Sequence, residues 1–184
     1  MRDSPQFYQN DDEFNAFLEQ LKLTSCPHCQ AVGTLIRHGF FHGFDDSSPH
    51  SKTIRARRIF CSNRNARPGC GKTFSVWIAD KIRRLSLTTR GLWRFLLQVV
   101  ADGVRAALRG FQCHLHERTL LRIWKRFRHA QCHIRTALAA RCPPPLPPNE
   151  HRPVAQVLAH LRHAFPDAHC AIAAFQHTMR TFLV

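Results

Sequence analysis

Four cysteines between positions 26 and 70 constrain this chain more than anything else in it. Cys26 and Cys29 enclose two residues, Pro27 and His28; Cys61 and Cys70 follow after an interval of 31 residues. A two-residue gap between cysteines lets the chain double back so that both thiolates meet one ion. Four such thiolates complete a tetrahedral zinc site with no open position, which makes its role structural. The second pair encloses eight residues, Ser62 to Gly69, and these include the turn formers Asn63, Asn65, Pro68 and Gly69. The spacing therefore predicts one structural Zn²⁺ held by Cys26, Cys29, Cys61 and Cys70, with residues 62–69 looped out.

The interval between the pairs reads as a β-ribbon. Residues 33–41 are rich in β formers, and residues 53–60 alternate, with Ile54, Ala56 and Phe60 on one face and Arg55 and Arg57 on the other. Residues 45–51 are polar and read as the loop between them, while Phe74, Val76 and Trp77 begin a third strand. So small a sheet buries little core, and metal binding supplies folding free energy in its place. Cys26-Pro27-x-Cys29, the ribbon, and the return through Cys70-Gly71-Lys72-Thr73-Phe74-Ser75 resemble the zinc-ribbon leader of bacterial transposases, over about a third of the chain. The resemblance implies a ribbon followed by a helix-turn-helix, holding transposon DNA. Residues 66–73 also loosely match a phosphate-binding loop, but such a loop must open a helix, and the residues that follow read as strand.

Charge agrees with a polyanionic partner. The formal net charge is +15, and the surplus falls on residues 26–90 and 91–142, at +9 and +8, while the ends are acidic or nearly balanced. No secretion signal is evident, no apolar run reaches 18 residues, and the cysteines pair as metal ligands. These features predict a cytoplasmic, nucleoid-associated protein with no membrane partner.

Along the chain, residues 1–23 are expected to form a disordered tail (1–12) and a short helix from Glu13 to Leu23 carrying Phe14, Phe17, Leu18 and Leu21; the zinc ribbon occupies 24–80. A helix-turn-helix domain is expected over 84–142. Ser86 or Thr88 caps a helix to about Ala101, Asp102-Gly103 breaks it, and a short helix runs from Val104 to Phe111. A long one follows from Glu117 to about Ala139, with an expected break near 129–131. On the long helix Leu120, Ile123, Trp124 and Phe127 make the apolar stripe. Opposite lie Arg118, Arg122, Lys125 and His129, flanked by Arg126 and Arg128, as on helices that enter the major groove. Arg55, Arg57, Arg64 and Arg67 are the expected phosphate contacts of the ribbon. Residues 143–150 form a Pro-rich linker, and 151–184 form a C-terminal helical segment too small to fold alone, expected to dock or to form a homodimer.

Two further clusters carry less. His38, His42 and His50 find no vacancy in a four-cysteine site. Cys113, His114, His116, Cys132 and His133 do not converge, since adjacent helical residues point about 100° apart. Catalysis is not expected. Beyond Asp80 the carboxylates are Asp102, Glu117, Glu150 and Asp167, none at the end of a strand pattern, and Tyr8 is the single tyrosine. The sequence thus predicts an α+β chain: a small N-terminal zinc-ribbon sheet, then a helical helix-turn-helix bundle. The expected function is non-enzymatic double-stranded DNA binding, as an accessory or regulatory protein of a mobile element beside a separate transposase or recombinase. The alternatives are an RNA-binding ribbon using Phe40, Phe41 and Phe44, and a protein–protein adaptor with a basic surface.

Overall fold

The computed structural model describes residues 6–46, 48–145 and 152–184. The chain is α+β: strands β1 (Gln6–Tyr8), β2 (Leu35–Asp45), β3 (Ser48–Cys61) and β4 (Thr73–Ile78), and helices α1 (Asp11–Glu19), α2 (Thr89–Asp102), α3 (Val104–Gly110), α4 (Glu117–Ala139), α5 (Pro153–Ala164) and α6 (Ala171–Met179).

The four strands form one mixed sheet in the order β1-β4-β3-β2. The β2–β3 and β3–β4 pairs are antiparallel, and β1 lies parallel to β4. This corrects the expectation that residues 6–12 are disordered: Phe7 is fully buried, and Asn10 caps α1 by accepting from the Glu13 N–H. Asp11, Asp12 and Glu13 then sit in the first turn, where the helix dipole favours negative charge. The remaining residues of the expected tail, 1–5, lie outside the described residues. On one sheet face Phe14 and Leu18 of α1, with Leu21 from the turn after it, pack against Leu35, Ile59, Phe74 and Val76, with Cys26 and Cys61 in the same cluster.

The β2–β3 hairpin is longer than its sequence suggests. Of residues 45–51, expected to be a polar loop, Asp45 ends β2 and residues 48–51 open β3, with Asp45 opposite Ser48. The Asp45 carboxylate is fully buried, 2.9 Å from Lys81 Nζ, and it accepts from Thr53 Oγ1 at 3.1 Å. A run that looks solvent-seeking therefore has its charge met inside the fold. At the tip, Asp46 accepts from the Thr88 N–H and from Thr88 Oγ1, while Thr88 Oγ1 itself accepts from the Gly91 N–H to cap α2. A Cβ at Gly91 would lie 2.0 Å from Asp46 Oδ2, so only glycine admits this contact. The ribbon tip is thereby fastened to the start of the helical part.

α2 through α6 share one apolar core: Leu92, Phe95 and Leu96 of α2, Leu120, Ile123 and Phe127 of α4, Leu158 and Leu161 of α5, Ile172 and Phe175 of α6. Gly103, at φ 84°, turns the chain between α2 and α3. α4 runs its full 23 residues without the expected break. Ile134 and Leu138 extend its buried stripe past residue 131, and α5 packs against that extension. The C-terminal pair docks on its own chain. Gln176, fully buried, donates to the carbonyls of Ala79 and Lys81 at 2.9 and 3.1 Å and accepts from the Leu183 N–H at 3.3 Å. Of the Pro-rich stretch, 146–150 lies outside the described residues.

Candidate metal centre and nucleic-acid interface

The four predicted cysteines converge. Their sulfurs all lie within 4.8 Å of one another, with Cys26–Cys70 at 3.9 Å and Cys29–Cys61 at 3.7 Å. The group could hold a metal ion. A tetrahedron with sulfur about 2.3 Å from its centre has edges of about 3.8 Å, so the donor set and its spacing fit zinc.

Each knuckle is built by backbone hydrogen bonds. In the first, the Gln30 N–H donates to the Cys26 carbonyl at 2.8 Å and the Cys26 N–H to the Ala31 carbonyl at 3.0 Å. Gln30 takes a positive φ of 63° to close the turn. The second knuckle tolerates its eight-residue gap because both ends are clamped. The Cys61 N–H donates to the Lys72 carbonyl at 2.9 Å, and the Gly71 N–H returns to the Cys61 carbonyl at 3.0 Å. Gly69 passes so close to Ser62 that a Cβ there would lie 2.1 Å from the Ser62 carbonyl oxygen. Residues 63–68 bulge into solvent as expected, with Asn65 and Ala66 both at positive φ.

Thr34 is a member of the site that spacing does not reveal. It is buried, and its hydroxyl lies 3.1 Å from Cys61 Sγ; the Cys70 N–H donates to the same sulfur at 3.3 Å. Burial disfavours a thiolate at Cys61, but these hydrogen bonds prevail and bring its pKa down to about 7. Burial pushes Cys26 up to about 12. One ligand is thus ready as a thiolate near neutrality, and a bound cation would have to draw the proton from another.

The remaining histidines and cysteines, read from the sequence as packing and surface residues, stand apart from this site. His38, His42 and His50 are exposed. Among the described residues no second group of three or more metal-ligand side chains converges. His116 instead caps α4, its Nδ1 accepting from the Arg118 N–H at 3.1 Å. The phosphate-loop look-alike runs into β4 and not into a helix, and its Cys70 lies in the thiol cluster.

The basic candidates separate by environment. On α4, Arg118, Arg122, Lys125, Arg128 and His129 are exposed, Arg126 is half-buried, and Leu120, Ile123, Trp124 and Phe127 face the core. Arg64 and Arg67 stand exposed on the looped-out knuckle, Arg64 with its guanidinium 5.6 Å from the Phe60 ring centre. Arg57 is largely committed to the fold: it pairs with Asp11 at 2.8 Å and lies 4.5 Å from the centre of the Phe14 ring. Arg55 does not stand on an open strand face as expected. It is 8% exposed and donates to the Ile82 carbonyl at 2.7 Å and to the Phe44 carbonyl at 3.3 Å. α1, the β4–α2 connection and the hairpin enclose that face of β3, so strand alternation alone could not show it covered.

No family model, curated protein or solved structure matches the chain. Among the described residues, no helix is long and apolar enough to cross a membrane.

Proposed function

We propose that this chain is a non-enzymatic, zinc-dependent protein that binds double-stranded DNA. In this reading the four-cysteine site holds one Zn²⁺, which closes the knuckles and fixes the ribbon. α4 enters the major groove, α3 crosses behind it, and Arg64 and Arg67 reach phosphates. The observation that carries the reading is the two-sided character of α4. One stripe is locked in the core, and Arg118, Arg122, Lys125 and His129 stand free along the opposite stripe. A solvated helix usually mixes charge signs; over this helix Glu117 is the one acidic residue. The resemblance of the cysteine motifs to transposase leaders supports reading the protein as an accessory or regulator of a mobile element, acting in the nucleoid beside a separate transposase or recombinase. A homodimer would present two copies of α4 to half-sites one helical turn apart.

The second reading, RNA on the ribbon, is favoured by Phe40, Phe41 and Phe44, each more than 40% exposed. Bases of an unpaired strand stack on such rings. Filter binding with duplex DNA, single-stranded RNA and an acidic protein as competitors tests the readings. Duplex DNA is expected to bind most tightly, and preference for RNA or for the acidic protein would overturn the proposal.

A further inference from the structure

We infer that the cleft between the ribbon and the C-terminal tail is a separate site for a short unpaired nucleic-acid strand. The inference extends the nucleic-acid reading to a second surface, remote in sequence from α4. The cleft has a volume of about 940 Å³. Its walls come from β2, β3 and β4, from the connection at Arg83 and Arg84, and from the tail at 179–182. That volume lies near the upper end of the range, about 300–1,000 Å³, that encloses compact ligands, so it has room for a few nucleotides.

Its chemistry is one-sided. Arg55, Arg83, Arg84 and Arg180 line it, and among the described residues no carboxylate does. The acids nearest Arg55 in charge are Asp45, Asp80 and Asp46. Asp45 and Asp80 are held by Lys81 at 2.9 and 3.3 Å, and Asp46 by Thr88. Arg83 and Arg84 are exposed. Arg55 is more than nine-tenths buried, yet its Nε has no hydrogen-bond partner. That donor faces no acceptor of the fold, and the side chain carrying it forms part of the cleft wall. Gly43 makes room for the Arg55 side chain, since a Cβ there would lie 2.7 Å from Arg55 Cδ.

The same cleft offers flat apolar surfaces beside its cations. The Phe41 and Trp77 rings are nearly parallel, 12° apart with centres separated by 6.3 Å; Phe182 meets Trp77 edge-on at 5.1 Å. Arg83 lies 5.9 Å from the Phe182 ring centre and Arg58 5.4 Å from that of Phe41. Arginines for phosphates, interleaved with aromatic faces for bases, are what a strand without its complement requires; a duplex hides those base faces. The tail that forms one wall is fixed by Gln176, so the cleft is already shaped in the free protein.

The test is fluorescence anisotropy with a labelled oligothymidylate of roughly 12 nucleotides, a matching oligouridylate, and a duplex. The proteins are the full chain, an Arg83→Gln/Arg84→Gly pair, Phe41→Ser, and Arg118→Ala/Arg122→Ala. Glycine suits position 84, whose φ is +60°. Both cleft variants should keep their melting temperature and duplex affinity and lose single-strand affinity by about tenfold. The α4 variant should show the opposite pattern. Binding of both oligomers in the cleft-dependent way, or of one alone, supports the site and tells whether the sugar matters. Single-strand binding that is absent in the full chain, unchanged in the cleft variants, or lost with the α4 variant overturns it. Failure of duplex binding alone, with cleft-dependent single-strand binding retained, would overturn the major-groove reading and leave the cleft standing.

Discussion

Replacing Cys29 by Ser isolates the metal from the packing. Cys29 is exposed, whereas Cys26 and Cys61 are buried, so the change removes one ligand while leaving the apolar cluster around α1 intact. Structural zinc contributes roughly 10–16 kcal/mol of apparent binding free energy in small zinc domains. With four equivalent sulfurs, loss of one forfeits about a quarter, or ~3 kcal/mol, a weakening of about 10²-fold. At about 2–4 °C per kcal/mol for a chain of this size, the zinc-loaded protein should melt roughly 6–12 °C lower. The assay is elemental analysis after dialysis against a weak chelator, paired with melts with and without a strong chelator. The variant should lose stoichiometric zinc and melt lower than the full protein, and the chelator should abolish that difference. Cys132→Ser, an exposed cysteine far from the site in sequence, should change neither quantity. A Cys29→Ser protein that kept one zinc and its original melt would refute the four-thiolate assignment.

Other consequences concern the ribbon's attachment and its charges. Lys81→Met strands the fully buried Asp45 carboxylate and should cost about 3–5 kcal/mol in denaturant titrations at neutral pH. Burial lowers the Lys81 pKa, but Asp45 and Asp80 outweigh burial and hold it above 10.5. Its contribution is therefore complete below that value and fades as pH rises through the folded pKa, so on the alkaline side the gap between wild type and Lys81→Met should narrow only in strong alkali; a gap that narrows as pH rises from neutrality to 10.5 would contradict the pairing. Gly91→Ala should lower stability by about 1 kcal/mol, because displacement of Asp46 from Thr88 outweighs the helix-propensity gain. In an Asp46→Ala background the same change should stabilise, and a stabilising effect in the wild-type background would refute the contact. Arg64→Ala with Arg67→Ala should reduce the salt slope of duplex binding by about 2, and an unchanged slope would move the phosphate surface elsewhere.

What the sequence reveals and what it hides follow from the range of the interactions. Cys26-Pro27-His28-Cys29 announces its own turn, and Thr88 and Gly103 mark helix ends through local backbone chemistry, so these were legible. The outward stripe of α4 was legible because Leu120, Ile123, Trp124 and Phe127 repeat at helical spacing. β1 was not, because three residues acquire strand geometry only by pairing with β4, some seventy positions away. Asp45 and Asp46 read as loop because composition reports polarity and not the Lys81 and Thr88 groups that satisfy it. The burial of Arg55 depends on carbonyls of Phe44 and Ile82, which no periodicity encodes. The arginine cleft was hidden for the same reason: its walls come from stretches of chain scattered from Gln6 to Phe182.

The central claim is that α4 reads DNA sequence, and a binding selection on randomised duplex DNA tests it most directly. Wild type should enrich a defined motif. Arg122→Ala should cost roughly 1–3 kcal/mol at that motif and relax one base position, since a guanidinium fork on guanine is lost. Arg118→Ala should relax a neighbouring position, and Arg122→Lys should not rescue Arg122→Ala, because an ammonium lacks the planar fork. Uniform loss of affinity with the motif intact would make α4 a phosphate contact only. Absence of any motif with the wild-type protein would contradict the account.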